Sequence, residues 1–165
     1  MHQSNKRAEE LHVPVLLQEV LDAFKERPLS VFIDGTLGLG GHSNAILSQH
    51  KASMRLLLGI DQDTNAIDLA SARLDPHRAN CSVVLAHGNF GDILRLALDN
   101  GVQPGTVDGI LLDIGTSSMQ LDEASRGFSF MRDGPLDMRM NPSAPLTAAD
   151  IVNDWSEEDI AKARP

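Results

Sequence analysis

The sequence predicts an α/β fold in which a mostly parallel sheet is covered by helices on both faces. Segments typical of strands and of helices alternate four times before Gly115. The strand segments are nearly continuous apolar runs, as expected for parallel strands that are buried on both faces. A glycine-rich stretch, residues 34–42, follows the first strand, which is where many such domains bind a nucleotide.

Each predicted element has a local signal. The first helix has Pro14 near its start, where proline is tolerated, and the third begins at Thr64 with Asp63 or Thr64 as its cap. The fourth helix is stopped by Asn100 and Gly101. The predicted elements are, in order, a helix over 13–24, a strand over 29–34, a helix from 42 or 43 to 48, a strand over 55–61, a helix over 64–74, a strand over 82–86, a helix over 90–100 and a strand over 107–114.

The segment after the fourth strand has a different character. Residues 115–146 contain several glycines and prolines and show no apolar period, which predicts a long loop region. Loops of this length in compact domains are often functional. Helical segments are expected to begin again at Thr147 and at Ser156.

Composition limits the classes of function. The formal net charge is −9, with 14 basic against 23 acidic residues, and binding of nucleic-acid phosphates requires Lys and Arg. The residues that bind any RNA are therefore expected to lie mostly outside this domain. Cys81 is the only cysteine, which excludes an internal disulfide and a cysteine-based zinc cage. No apolar stretch approaches the roughly 18 residues of a membrane span, and the polar start lacks a signal core, so no membrane association or secretion is expected.

The glycine-rich turn is the strongest local signal for a ligand. Residues 38–43 (Gly-Leu-Gly-Gly-His-Ser) resemble the G-x-G-x-x-G of dinucleotide-binding domains, but Ser43 replaces the third glycine. Asp61 ends the second strand and follows Gly41 by 20 residues, which suits a carboxylate that binds ribose hydroxyls. These features fit a nicotinamide cofactor or S-adenosylmethionine, and Asp34 favours the second because its methionine end is cationic. A tight turn without a ligand is the alternative.

Two further candidates follow the other strands. Asp113 ends the predicted fourth strand, where its carboxylate could hold an amine of the cofactor or of a target base. A loop or a helix cap is the alternative role for this residue. Phe90 follows the third strand and could flank the adenine, or it could be an ordinary core residue. Asp61 and Asp63 have no third ligand at a suitable spacing, so no metal site is predicted.

Five sequence blocks follow one another in a distinctive order. The blocks, read in chain order, are His12-Val13-Pro14-Val15-Leu16, residues 34–43 with Asp-Gly-Thr at their start, Gly59-Ile60-Asp61-Gln62-Asp63, residues 108–122, and residues 126–140. Together these blocks resemble the MraW/RsmH family, the small-subunit ribosomal RNA cytosine-N4 methyltransferases with their organellar relatives. The resemblance extends from about His12 to Asp159, and its last block is long enough to make the match specific.

This resemblance implies a class I Rossmann-like methyltransferase core with a helical domain inserted into it. Residues 1–146 would form the S-adenosylmethionine-binding core, and residues 147–165 would begin the inserted domain. The implied cofactor contacts are Gly40, Gly41, His42, Asp61, Phe90, Asp113 and Gln120.

The implied reaction is transfer of a methyl group to the exocyclic N4 amine of a cytidine in small-subunit ribosomal RNA, so the expected partner is that RNA or the small ribosomal subunit. Other amino-methyltransferases place an Asp/Asn-Pro-Pro-aromatic turn after the fourth strand, and residues 113–118 lack it. Asp113 and Asp137 are therefore the candidates for orienting the amine. Arg132 and Arg139 are candidates for contacts with phosphates.

Other interpretations stay open. The family continues for about as many residues again, so this chain could be a truncated, non-catalytic protein that binds S-adenosylmethionine or a partner. An NAD-dependent dehydrogenase is disfavoured by Ser43 and by residues 113–120. A truncated core would expose a sheet edge that could pair with a second copy as a homodimer. The expected compartment is the cytoplasm for a bacterial protein, and the mitochondrion or chloroplast for an organellar relative.

Overall fold

Strands and helices alternate along the part of the chain that the structure describes, residues 13–162 of a computed structural model. Short 3-10 turns lie at Asp75–His77, Phe90–Asp92 and Ala124–Arg126. The strands and α-helices are, in chain order, α1 (Leu17–Phe24), β1 (Val31–Asp34), α2 (Gly41–Gln49), β2 (Leu56–Asp61), α3 (Thr64–Leu74), β3 (Ser82–His87), α4 (Ile93–Asp99), β4 (Gly109–Leu111), α5 (Ser118–Asp122), α6 (Ala148–Asp154) and α7 (Glu157–Lys162).

The four strands form one sheet in the order β3-β2-β1-β4, and all neighbouring strands are parallel. In the register, Ile33 of β1 pairs with Leu58 of β2 on one side and with Ile110 of β4 on the other. The carboxyl ends of all four strands therefore meet at one edge of the sheet. The predicted parallel α/β class is confirmed.

Successive residues of the inner strands point to opposite faces of the sheet, and each face has its own core. Phe32 belongs to the first core, which is completed by side chains of α1, α2 and α3, such as Ile46 and Leu74. Ile33 belongs to the second core, which is covered by α4 through Leu96 and its neighbours. Because both faces are covered, β1 and β2 are apolar along almost their whole length, as the sequence predicted.

Several predicted elements are shorter than expected, among them the first helix and the fourth strand. The first helix was predicted from Val13 but begins at Leu17, because Leu16 adopts a left-handed conformation (φ 52°) that a right-handed helix cannot continue. The fourth strand was predicted to reach Ile114 but ends at Leu111. Beyond it the backbone N–H of Asp113 donates to Thr36 Oγ1 (2.6 Å), so a side chain replaces the strand ladder. The prediction that Asp113 ends the strand is therefore wrong by two residues.

The described residues form two compact units, one that ends at residue 114 and one that begins at residue 115. Within the second unit, Arg126 is buried and its Nη2 donates to the backbone carbonyl of Arg139 (3.0 Å). Helices α5 and α6 each begin with a reciprocal capping box, formed by Ser117 with Gln120 and by Thr147 with Asp150. Residue 147, where the resemblance implies that an inserted domain begins, lies inside this unit. The division into residues 1–146 and 147–165 stays a prediction.

Strand β4 is an edge of the sheet among the described residues. Three apolar side chains on it and just beyond it are exposed by 49%, 43% and 70%: Ile110, Leu112 and Ile114. An unpaired edge with apolar side chains favours association, and the homodimer stays a prediction. Across residues 13–162, none of the helices has the length and apolar character required to cross a bilayer.

The close approach of β4 to α1 gives a test of the fold. Replacing Gly109 by Ala is expected to lower the free energy of unfolding by about 1–3 kcal/mol. An added Cβ would lie 2.8 Å from Phe24 Cε1 and 2.9 Å from two ring atoms of Phe32, and these rings already pack edge to face with centroids 5.1 Å apart. Urea denaturation measures the change, and a midpoint equal to that of the wild type would contradict this packing.

Candidate functional site

The turn between β1 and α2 lies at the carboxyl edge of the sheet and has the backbone form of a ligand cradle. Gly38 (φ 51°) and Gly40 (φ 73°) are both left-handed, and Gly40 directly precedes α2. A Cβ on Gly38 would meet nothing closer than Thr36 O at 3.9 Å, so the space beside the Gly38 backbone is open. The backbone at Gly38 is thus the point where a ligand can approach most closely.

Asp61 holds this turn in place from the end of β2. Its Oδ2 accepts a hydrogen bond from Gly38 N (2.7 Å), and its Oδ1 accepts one from Asp63 N (2.9 Å). A carboxylate has about four acceptor positions, so two bonds leave capacity for hydroxyl donors. Asp61 therefore joins two loops of the edge and can still accept from a ribose.

Asp34 is almost completely buried beneath the turn, with 1% of its surface exposed. Its Oδ2 accepts from Ser43 Oγ (2.6 Å) and its Oδ1 from Thr36 N (3.2 Å). Burial raises the pKa of Asp34 to about 6, and the bond from Ser43 opposes that rise. This carboxylate organises the turn from inside, and Ser43, in the position of a third glycine, is its hydroxyl partner.

Asp113 and His42 face each other across the same edge. The exposed carboxylate of Asp113 lies 3.8 Å from Nδ1 of His42, whose side chain is only 9% exposed. The other ring nitrogen, Nε2, lies 2.9 Å from the carbonyl oxygen of Val15. Sequence patterns did not indicate the contacts of Thr36, Ser43 or Val15, because these residues are ordinary in any loop and become partners only in the folded chain.

Phe90 begins the 3-10 turn that follows β3 and is half-buried. A Cβ on Gly35 would lie 3.3 Å from Phe90 Cβ and 2.5 Å from Leu112 Cδ2. The absence of a side chain at Gly35 therefore lets this aromatic residue lie against the start of the glycine-rich turn.

The other two predicted glycine contacts have a packing role as well. A Cβ on Gly40 would lie 3.2 Å from Ala70 Cβ of α3, and one on Gly41 would lie 2.5 Å from Pro14 Cγ. These glycines allow α3 and the segment before α1 to approach the start of α2. Direct cofactor contact by Gly40, Gly41 and the His42 backbone stays a prediction.

Two predicted site residues lie in the second unit. Gln120 is buried and caps α5, where its Oε1 accepts from Ser117 N (3.0 Å). Asp137 is held by the guanidinium of Arg139 through bonds of 2.9 and 2.6 Å, which hold its pKa at about 2. Arg139 also donates to the carbonyl of Ala144, and Arg132 contacts Asp122. The functional roles predicted for these residues stay predictions.

The first unit thus collects open glycine backbone, a helix start, two carboxylates and an aromatic ring at one edge. Carboxylates suit ribose hydroxyls and cationic groups, and the amides at a helix start suit a carboxylate. Within residues 13–162, no group of three or more His, Cys, Asp or Glu side chains is arranged to hold a metal ion. The donor set fits a nucleoside carrying an amino-acid group.

The fold and the groups at the carboxyl ends of its strands define a parallel α/β domain. Domains of this kind bind a nucleotide-like cofactor beyond those strand ends. Comparison with known families narrows this class. The model of the MraW methylase family matches residues 9–163, and the chain belongs to this family.

Curated relatives agree with this assignment. The chain is 49% identical over 149 residues to the ribosomal RNA small subunit methyltransferase H of Heliobacterium mobile, and 53% identical over 153 residues to that of Protochlamydia amoebophila. These alignments cover 90% and 92% of this chain but 46% of each relative. The chain therefore spans about half the length of the curated relatives it matches.

Among solved structures, an O-methyltransferase from Bacillus cereus is similar at 18% identity, with 66% of this chain and 49% of that chain covered. The TM-score is 0.48, so this similarity supports no conclusion about function.

The buried carboxylate of Asp34 gives a testable pH dependence. Its pKa is about 6 in the folded chain against 3.8 when free, so the folded state binds the proton more tightly than the unfolded state. The free energy of unfolding should therefore fall, by about 3 kcal/mol, as the pH rises from about 4 to about 6. Asp34→Asn, which can accept from Thr36 N and still pair with Ser43, should remove this component.

Urea denaturation of wild type and Asp34→Asn at several pH values measures the difference, with the exposed Asp99→Asn as the matched control. Parallel pH profiles for wild type and Asp34→Asn would contradict a raised pKa at this position.

Proposed function

We propose that this chain binds S-adenosylmethionine at the carboxyl edge of its sheet, as the cofactor-binding part of a methyltransferase that acts on the N4 amine of a cytidine in small-subunit ribosomal RNA. Membership in a methylase family and the name shared by the curated relatives support the reaction class and the RNA. The observation that carries the proposal is the meeting of Asp61, the open turn at Gly38, Phe90 and Asp113 at one edge.

Each of these residues has a chemical role in the proposal. Asp61 accepts from the ribose hydroxyls with the lone pairs that Gly38 and Asp63 leave free. Phe90 offers an aromatic surface to the adenine. The start of α2, which follows the left-handed Gly40, directs backbone amides toward the amino-acid carboxylate.

The transfer itself requires close alignment of a weak nucleophile. The bound cofactor supplies a methyl group activated by a positive sulfonium. The cytosine amine is conjugated with its ring, so it must be held near that methyl. As the N–C bond forms, the C–S bond of the cofactor would break, S-adenosylhomocysteine would leave, and the amine would release one proton to a carboxylate or to water. Asp113 is exposed at the edge and can accept a hydrogen bond from the amine. The proposal assigns it that orienting role, and it treats Asp137 as a second candidate whose carboxylate is occupied by Arg139.

A non-catalytic chain is the second candidate function. It is favoured by the net charge of −9, because RNA binding depends on basic residues. In this alternative the chain binds S-adenosylmethionine or a partner without turnover.

The cofactor site can be tested on the chain as it is. Wild type is expected to bind S-adenosylmethionine, and Asp61→Ala is expected to weaken binding by about 1.5–3 kcal/mol, because hydrogen bonds to a charged acceptor are lost. Asp61→Asn should weaken it as well, because an NH₂ group replaces one carboxylate oxygen and cannot accept the bond from Gly38 N or Asp63 N that this oxygen accepts.

Titration calorimetry gives the dissociation constants, and Asp99→Ala, which removes an exposed carboxylate on α4, is the matched control. No heat with folded wild-type protein would overturn the cofactor proposal, whereas an unchanged constant in Asp61→Ala would place the ribose contact elsewhere.

Methyl transfer can be measured with labelled S-adenosylmethionine and small ribosomal subunits that lack the modification. The complete Heliobacterium mobile relative serves as the positive control. The proposed activity predicts N4-methylcytidine in digests of the labelled RNA, and loss of the label with Asp113→Ala. Cofactor binding without label would favour the non-catalytic alternative, and label on another base would contradict the assigned target.

A further inference from the structure

The segment that precedes α1 lies against the start of α2. Residues 13–16, here called the N-terminal strap, place the ring of Pro14 where a Cβ of Gly41 would otherwise be, 2.5 Å from Pro14 Cγ. The carbonyl oxygen of Val15 lies 2.9 Å from Nε2 of His42. The strap is thus fixed to the two residues that open α2.

The strap is not held by hydrophobic burial. Val13, Val15 and Leu16 are exposed by 75%, 66% and 63%. Leu16 also has a left-handed backbone (φ 52°), which is costly for a residue with a Cβ and persists only where surrounding contacts impose it. The contacts with Gly41 and His42 hold Pro14 and Val15, which directly precede Leu16, and they contribute to its conformation.

His42 connects the strap to Asp113. A carbonyl oxygen can only accept, so Nε2 of His42 carries the proton in the bond to Val15. That bond fixes the ring plane and directs Nδ1 toward the carboxylate of Asp113, at 3.8 Å. Asp113 is itself placed by its backbone bond to Thr36 in the glycine-rich turn. One ring therefore joins the strap, the start of α2 and the carboxylate of the proposed site.

We propose that His42 is a positioning residue that couples closure of the N-terminal strap to occupation of the cofactor site through Asp113. The inference rests on the proposed S-adenosylmethionine site and adds a moving element to it. A ligand that contacts Asp113 or the start of α2 stabilises the closed strap, and the closed strap in turn holds His42 and Asp113 in the arrangement that binds the ligand. Such coupling is reciprocal.

Hydrogen exchange and calorimetry on the whole chain test this coupling. Saturating S-adenosylmethionine should slow amide exchange in residues 15–20 of the wild type by about fivefold or more, the lower range of measured couplings. Three variants separate the contacts: His42→Gln keeps a donor near the Nε2 position, His42→Asn keeps a polar group near the Nδ1 position, and Pro14→Ala removes the ring from Gly41 while keeping His42 and Asp113.

In His42→Asn and Pro14→Ala the amides of the strap should exchange quickly with or without the cofactor. Both substitutions should also raise the dissociation constant of S-adenosylmethionine about fivefold or more. His42→Gln should keep the strap slow to exchange but lose the response to the cofactor. The matched control is His77→Gln, which alters a different histidine bonded through Nε2, to Asn44, and it should behave as the wild type. Exchange in β2 serves as the internal measure of folding.

Failure of this inference is distinguishable from failure of the proposed function. Wild type that binds the cofactor without protection of residues 15–20 would overturn the coupling alone. Equal dissociation constants for wild type, His42→Asn and Pro14→Ala would do the same. No binding by folded wild type would overturn both the site and the coupling.

Discussion

The carboxylate of Asp61 is the constraint on which the carboxyl edge of the sheet depends. It accepts from Gly38 N and from Asp63 N, so it fixes the glycine-rich turn after β1 and the start of α3 after β2 with one group. Hydrogen bonds to a charged acceptor are stronger than neutral ones, and losing the acceptor would leave two backbone donors without this partner. The same carboxylate faces the place where a ribose is expected, so the turn and the ligand share one anchor.

Local patterns were sufficient for much of the fold. The apolar runs predicted four parallel strands, and helix α3 begins and ends as predicted, with Asp63 as its cap through the bond from Asn65 N (3.0 Å). These features depend on residues close in sequence. The end of β4 was misplaced because it depends on a bond between Asp113 and Thr36, which are distant in sequence, and apolar content alone continues the strand to Ile114.

The site shows the same division. The strand pattern predicted that Asp61, Phe90 and Asp113 lie at one edge, because the carboxyl ends of parallel strands meet there, and the structure places them at that edge. Their contacts with a cofactor stay predictions. The pattern did not identify the bond from Ser43 to Asp34, or the bond between His42 and Val15. Those partners are a hydroxyl and a backbone carbonyl, which carry no pattern of their own. Asp34, whose carboxylate is expected from the sequence to lie near the cationic end of the cofactor, is buried and accepts from Ser43 and from Thr36 N. Its nearness to the cofactor stays a prediction.

The two units hold different residues of the proposed function. The first holds every proposed cofactor contact except Gln120, while the second holds arginines that are already bonded within it, Arg126 and Arg139. The net charge of the chain is −9, so most contacts with RNA phosphates are expected to lie outside these two units.

The central claim is that S-adenosylmethionine lies at the carboxyl edge of the sheet, and amide chemical shifts report its position directly. In a ¹⁵N-labelled sample titrated with the cofactor, the largest changes are predicted at Gly38 to Ser43, at Asp61 to Asp63, at Phe90 and at Asp113. Changes confined to other residues of the folded chain, or no changes at saturating cofactor, would contradict the account.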